Sequence, residues 1–103
     1  PIGVIVTDTM GRAWRLGLTD NAIGVAGVTT LLDYRGQKDA AGRTLEQSVA
    51  AVADEIASAA ELVKGKLAQI PVVLVRGLAQ YVTLADGDGA RAIVRPPQED
   101  LFR

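Results

Sequence analysis

The stretch from Thr44 to Lys64 constrains this chain more than any other. Leu45, Val49, Val52, Ile56, Ala59 and Val63 recur at steps of three and four, which predicts one apolar stripe along a helix. Thr44 and Gln47 have the spacing of a capping box, Lys64 suits the C-terminal end of the dipole, and Gly65 suits the stop. Alanines at 50, 51, 53, 57, 59 and 60 favour helix and allow close approach. Such a helix must lay its stripe on something, and the flanking apolar runs supply strands.

Pro1 to Thr7 is apolar on both alternating faces and predicts a buried strand. Arg12 to Asn21 mixes charges with Trp14 and Gly17 and predicts a long loop. Ala22 to Thr30 predicts a second strand with a small face, and Leu31 to Arg35 extends it or forms a third. Gly36 to Arg43 is a polar turn. Val72 to Val75 predicts another buried strand, and Gln80 to Leu84 a weaker one. Asp86 to Gly89 predicts a turn ahead of a short helix, Ala90 to Val94, stopped by Pro96 and Pro97. This order predicts an α+β unit over residues 1–103, a mixed or antiparallel sheet with one long helix packed on it. A start at Pro1 directly before a strand, and an apolar end at Leu101-Phe102-Arg103, read as a piece of something longer.

Composition narrows the chemistry. The net charge is −1, which offers no electrostatic footprint for nucleic acid or anionic lipid. No apolar run approaches the ~20 residues of a membrane-spanning helix, and no signal peptide is visible. Cysteine is absent, so there is no thiolate chemistry, and the cytoplasm is the expected setting. Histidine is absent too, so any metal must be held by oxygen, which favours a hard cation such as Mg²⁺ or Mn²⁺. Hydrophobic residues make up 49%, enough for a core, yet a chain of 103 residues still gains from a partner surface.

The remaining candidate for chemistry is Asp8-Thr9 with Arg12 and Arg15. A carboxylate and a hydroxyl closing a strand can hold Mg²⁺ or Mn²⁺, and two guanidiniums can grip phosphate or carboxylate oxygens. On residue chemistry alone the commoner reading is a turn-capping aspartate with arginines in surface pairs. Trp14 is read as a core plug ahead of a ligand platform, and Asp54-Glu55 as a solvated helix face. Lys66 follows the helix stop and reads as a surface lysine or a phosphate contact.

The run Thr7-Asp8-Thr9-Met10-Gly11-Arg12-Ala13-Trp14-Arg15, with Gly17, Asp20 and Ala22-Ile23-Gly24-Val25-Ala26-Gly27, resembles the signature of coenzyme F420-0:gamma-glutamyl ligases. The likeness continues through Leu32-Asp33-Tyr34-Arg35-Gly36, Ala51 to Ala57, Pro71 to Gly77 and Arg95-Pro96-Pro97. It covers nearly the whole chain, and its first motif is specific enough to reverse the odds at Asp8-Thr9.

The resemblance implies a fragment of a larger α+β ligase domain that forms homodimers. It implies GTP-dependent addition of L-glutamate to coenzyme F420-0 through an acyl phosphate. It also implies two divalent cations, Mg²⁺ or Mn²⁺, with Asp8 and Thr9 as metal ligands and Arg12 and Arg15 beside Asp8 in catalysis. The family's upstream nucleotide-gripping segment is missing, and some members carry a nitroreductase-like domain downstream. Many relatives place an acidic or amide residue near the second metal where this chain has Lys66, which leaves Lys66 as a direct nucleotide contact. The competing readings are a non-catalytic dimerisation or folding module, and another metal- and nucleotide-dependent ligase.

Overall fold

A computed structural model describes residues 1–85, 87 and 89–99. Its frame is an antiparallel hairpin, β1 (Val4–Arg12) and β2 (Arg15–Ala26), with one helix, α1 (Val52–Lys64), lying against β2. Two short strands in the chain segment that joins hairpin to helix, β3 (Leu32–Asp33) and β4 (Val49–Ala50), form a second antiparallel pair. The α+β expectation therefore holds, with antiparallel pairing throughout the described residues.

The expected loop at Arg12–Asn21 is instead most of β2. The turn is tight, carried by Ala13 and Trp14, with Trp14 at φ 61°. The polar residues that suggested a loop are those of a hairpin tip standing in solvent: Trp14 is 91% exposed and Leu16 98%. Trp14 is thus no core plug.

One irregularity in the ladder sets the inner face. Val6 pairs with Gly24, but Thr7 pairs with Ala22, so Ile23 is an extra residue in β2. Side chains alternate with a period of two, so Asp20 and Ala22 could not share a face with Val25 in a regular strand. The bulge shifts the phase by one. Ile5 and Val25, Thr7 and Ala22, and Thr9 and Asp20 then face each other in pairs on the less exposed side. Val4, Val6, Asp8 and Met10 point to the exposed side.

The helix begins at Val52, not at Thr44, and Ala51 occupies its N-cap position without a side-chain cap. The intervening residues are drawn into long-range pairing. Leu45 donates its amide to the Gln37 carbonyl at 2.7 Å, Gly36 donates to Leu45 at 2.8 Å, and Tyr34 donates to Ser48 at 2.8 Å. Extended pairing of 32–38 with 44–50 outcompetes the local preference for helix. The C-terminal end is as expected, at Gly65 with φ 59°.

The buried face of α1 is made of Val52, Ala53 and Ala57 rather than the longer stripe, and Leu62 and Val63 are exposed. The alanines let the backbones of helix and hairpin come close. Ser58 Oγ donates to the Asp20 carbonyl at 2.9 Å. The Asp54 carboxylate accepts the Ala22 amide at 2.9 Å, beside the bulge. Asp54 is therefore a strut between elements, not part of a solvated face. Asp54→Ala would leave that half-buried amide without its acceptor. The expected cost is about 1–2 kcal/mol, read from urea unfolding of the full-length protein, with Asp54→Asn nearer wild type because it keeps an acceptor oxygen.

Val72–Val75 forms no strand. Gln80–Leu84 contributes a 3-10 turn at Ala79–Tyr81 and a single bridge from Val82 to Val28. The short helix expected at Ala90–Val94 is a 3-10 turn at Gly89–Ile93. The tail from Leu101 to Arg103 and two aspartates of the Asp86–Gly89 turn lie outside the described residues. Among the described residues no helix is long and apolar enough to cross a membrane.

Candidate functional site

The densest polar cluster lies between the inner face of the hairpin and the last turn of α1, and Asp20 is its centre. Asp20 is 4% exposed and the only buried charged residue among those described. Two parallel chains of contacts end on its carboxylate. The Lys64 ammonium donates to Thr7 Oγ1 at 3.1 Å, and Thr7 Oγ1 lies 3.3 Å from Asp20 Oδ2. The Lys66 ammonium donates to Thr9 Oγ1 at 2.6 Å, and Thr9 Oγ1 donates to Asp20 Oδ1 at 2.9 Å. Both ammoniums also reach Asp20 directly, Lys64 at 3.3 Å and Lys66 at 3.6 Å. Glu61, one turn back on α1, accepts Lys66 at 3.4 Å.

Burial pushes the Asp20 carboxyl up, but the Thr9 hydroxyl, the Lys64 ammonium and the charge of Lys66 together hold it down at about 2. Asp20 is an anion at neutral pH. Two ammoniums face two carboxylates, and the cluster is neutral as it stands.

Asp8 sits elsewhere. Neighbours in a strand project to opposite faces, so Asp8 is exposed on the outer side while Thr9 turns inward to Asp20. Asp8 Oδ1 accepts the Thr9 amide at 2.8 Å. Arg12 and Arg15 are register partners at the hairpin tip, and both are exposed. Arg12 donates to the Leu16 carbonyl at 2.9 Å. Like charges directly opposite on a hairpin repel, so an anion between them would relieve the pair. Lys66, expected at the nucleotide, is turned into the cluster. An open cleft of about 340 Å³ lined by Gly65, Lys66, Gln69, Ile70 and Pro71 lies beside its backbone.

The structure thus separates two groups that the sequence motif runs together. The outer side and tip hold Asp8, Arg12 and Arg15. The inner side holds Thr9, Lys66 and a residue that chemistry-led reading passed over, Asp20. The sequence carried one partial signal: Thr7 and Thr9 sit two apart, which puts both hydroxyls on one face of a strand.

The exposed Asp8 carboxylate suits a hard divalent cation as an oxygen ligand. The Thr9 hydroxyl does not supply a second grip in this arrangement, because the Lys66 ammonium already occupies it. Among the described residues no three acidic side chains converge as a metal cage.

Residues 1–77 match the family model described as F420-0:Gamma-glutamyl ligase, a span containing both groups and all of α1. The chain belongs to the F420-0:gamma-glutamyl ligase family. It is 46% identical to the coenzyme F420:L-glutamate ligase of Methanopyrus kandleri, over 99% of this chain and 41% of that protein. It is 45% identical to the proteins of the same name from Methanocaldococcus jannaschii and Archaeoglobus fulgidus, again over 99% of this chain and 40% of each relative. The chain therefore spans about two-fifths of the length of these F420 ligases.

Proposed function

We propose that the full-length protein joins L-glutamate to coenzyme F420-0 at the expense of GTP, through an acyl phosphate. The observation that carries this reading is the family match across residues 1–77, which includes Asp8, Thr9, Arg12 and Arg15. The relatives' names state the ligase activity and the glutamate substrate of those proteins. GTP, the acyl phosphate and the divalent cations are what the resemblance to the family implies.

In this reaction the terminal phosphoryl group of GTP passes to the acceptor carboxylate, giving a mixed anhydride and GDP. The glutamate amine attacks that carbonyl, the amide bond forms, and phosphate leaves. Asp8 would hold Mg²⁺ or Mn²⁺ by its carboxylate, and the cation would neutralise charge on the phosphates. Arg12 and Arg15, paired across the hairpin tip, would bind and orient an anionic oxygen of substrate or nucleotide. The rest of the nucleotide grip would come from outside this chain. A homodimer in the cytoplasm completes the reading. The dimer part of this reading is supported by the apolar residues left open on the outer sheet face, Val4 and Val6 at 56% and 55% exposed.

The test is direct. The full-length protein is given F420-0, L-glutamate, GTP and Mn²⁺, and the product is examined by mass spectrometry. The expected product carries one added glutamyl unit and appears with stoichiometric GDP. Unchanged F420-0 from well-folded protein, with or without GTP consumption, would overturn the assignment.

A further inference from the structure

We infer that the Lys66 ammonium is a tethered cation that fills the Thr9–Asp20–Glu61 oxygen cradle and so excludes a divalent ion from it. The inference rests on the ligase reading in one respect only, that a hard cation is bound at all by the full-length protein.

Three observations carry it. The Lys66 ammonium meets oxygen on three residues, Thr9 at 2.6 Å, Glu61 at 3.4 Å and Asp20 at 3.6 Å. This is the contact pattern of a small cation among hard oxygen donors, supplied by the chain itself. The cradle is prebuilt, because Asp20 is 4% exposed and fixed from both sides, by the Thr9 hydroxyl on β1 and by Ser58 on its own carbonyl. The charge is already balanced. A divalent ion added beside Lys64 and Lys66 would leave the cluster with two surplus positive charges in a partly desolvated place, whereas the ammonium alone leaves none.

Lysine suits this task. Its charge is compact like a metal ion's, it donates three hydrogen bonds, and its stem reaches back over the end of α1 from Lys66, just beyond the Gly65 stop. On this account Lys66 acts as a positioning residue. It orients the Thr9 hydroxyl toward Asp20 and sets the number of divalent ions at one on this part of the fold, the one at Asp8.

The experiment counts ions without turnover. Mn²⁺ is titrated into the full-length protein in the absence of nucleotide and substrates, and free Mn²⁺ is read by electron paramagnetic resonance. Lys66→Ala is expected to take up one further Mn²⁺ per chain, at a site at least about tenfold tighter than any added site in wild type. Lys66→Arg, which keeps the charge, is expected to match wild type. Adding Asp20→Asn to Lys66→Ala is expected to abolish the gained site. Equal uptake by folded Lys66→Ala and wild type would overturn the inference, as would a wild type that already binds an ion lost with Asp20→Asn. Should Lys66→Ala fail to fold, Lys66→Met retains the stem and decides the count in the same way. Absence of any ion sensitive to Asp8 would count against the function proposed above, while the gain or lack of gain in the Lys66 variants would still settle this inference separately.

Discussion

Replacing Asp20 with alanine is expected to destabilise the full-length protein by about 2–4 kcal/mol, the largest effect of any single polar change in this region. Removing one partner of a buried ion pair typically costs about 3–5 kcal/mol because the other charge is left behind. Here Lys64 is the stranded partner, its side chain 17% exposed, while Lys66 at 55% can turn to water, so a cost reaching below that range, about 2–4 kcal/mol, is expected. The two threonine hydroxyls lose their shared acceptor as well. Urea denaturation followed by circular dichroism gives the number. A loss below about 0.5 kcal/mol, the scale of an ordinary surface change, would show that the cluster contributes nothing net.

The same group fixes a pH dependence. The folded carboxyl is held at about 2 against an ordinary 3.8, so the unfolded chain binds the proton more readily. The stabilisation is complete above about pH 4 and is lost as pH falls from there toward 2. Asp33, paired with Arg35 at 2.6 Å, is lowered to about 2 as well, but both side chains are exposed and the pair adds little. Asp20→Asn should therefore flatten the acid limb of the stability curve, whereas Asp33→Asn should leave it nearly intact.

Asp8→Asn is expected to lower kcat/KM for glutamylation by at least about 100-fold while leaving the fold untouched. The magnitude is that of losing one charged ligand to a catalytic cation, a few kcal/mol of transition-state stabilisation. The fold should survive because Asp8 is exposed, and the hydrogen bond its carboxylate accepts from the Thr9 amide is available to asparagine. Stability should stay within about 0.5 kcal/mol of wild type. The contrast with Asp20 is the useful feature of the pair. One aspartate should remove activity without stability, the other stability first. Retained glutamylation in Asp8→Asn would return this residue to the turn-capping role that its residue type suggests most often.

Particular elements show how far sequence carried this picture. The Gly65 stop, the α+β class and the presence of an opening strand were legible from local periodicity and glycine chemistry, but β1 runs on through Asp8-Thr9 to Arg12 instead of closing there, and Val4 and Val6 are exposed where a buried strand was expected. β2 was misread because its first half lies in a solvent-exposed hairpin tip, where no buried face imposes alternation. The helix start was misplaced because pairing between residues 32–38 and 44–50 depends on contacts that no local window contains. At the site, the motif runs Asp8, Thr9, Arg12 and Arg15 together in sequence, but a strand places neighbours on opposite faces. Asp20 became visible only when β1 and β2 were paired, since its partners come from three separate segments: Thr7 and Thr9, Lys64, and Lys66 beyond the helix.

The claim on which the rest depends is that the Asp8 carboxylate holds the hard cation on the outer side of the hairpin, apart from the lysine-filled cluster within. The most direct measurement is the Mn²⁺ affinity of full-length wild type and Asp8→Asn in the presence of GTP, read by electron paramagnetic resonance. Wild type should bind the ion with Asp8→Asn weakened by at least about tenfold, the two proteins unfolding at the same urea concentration. Equal affinity in both would contradict the account.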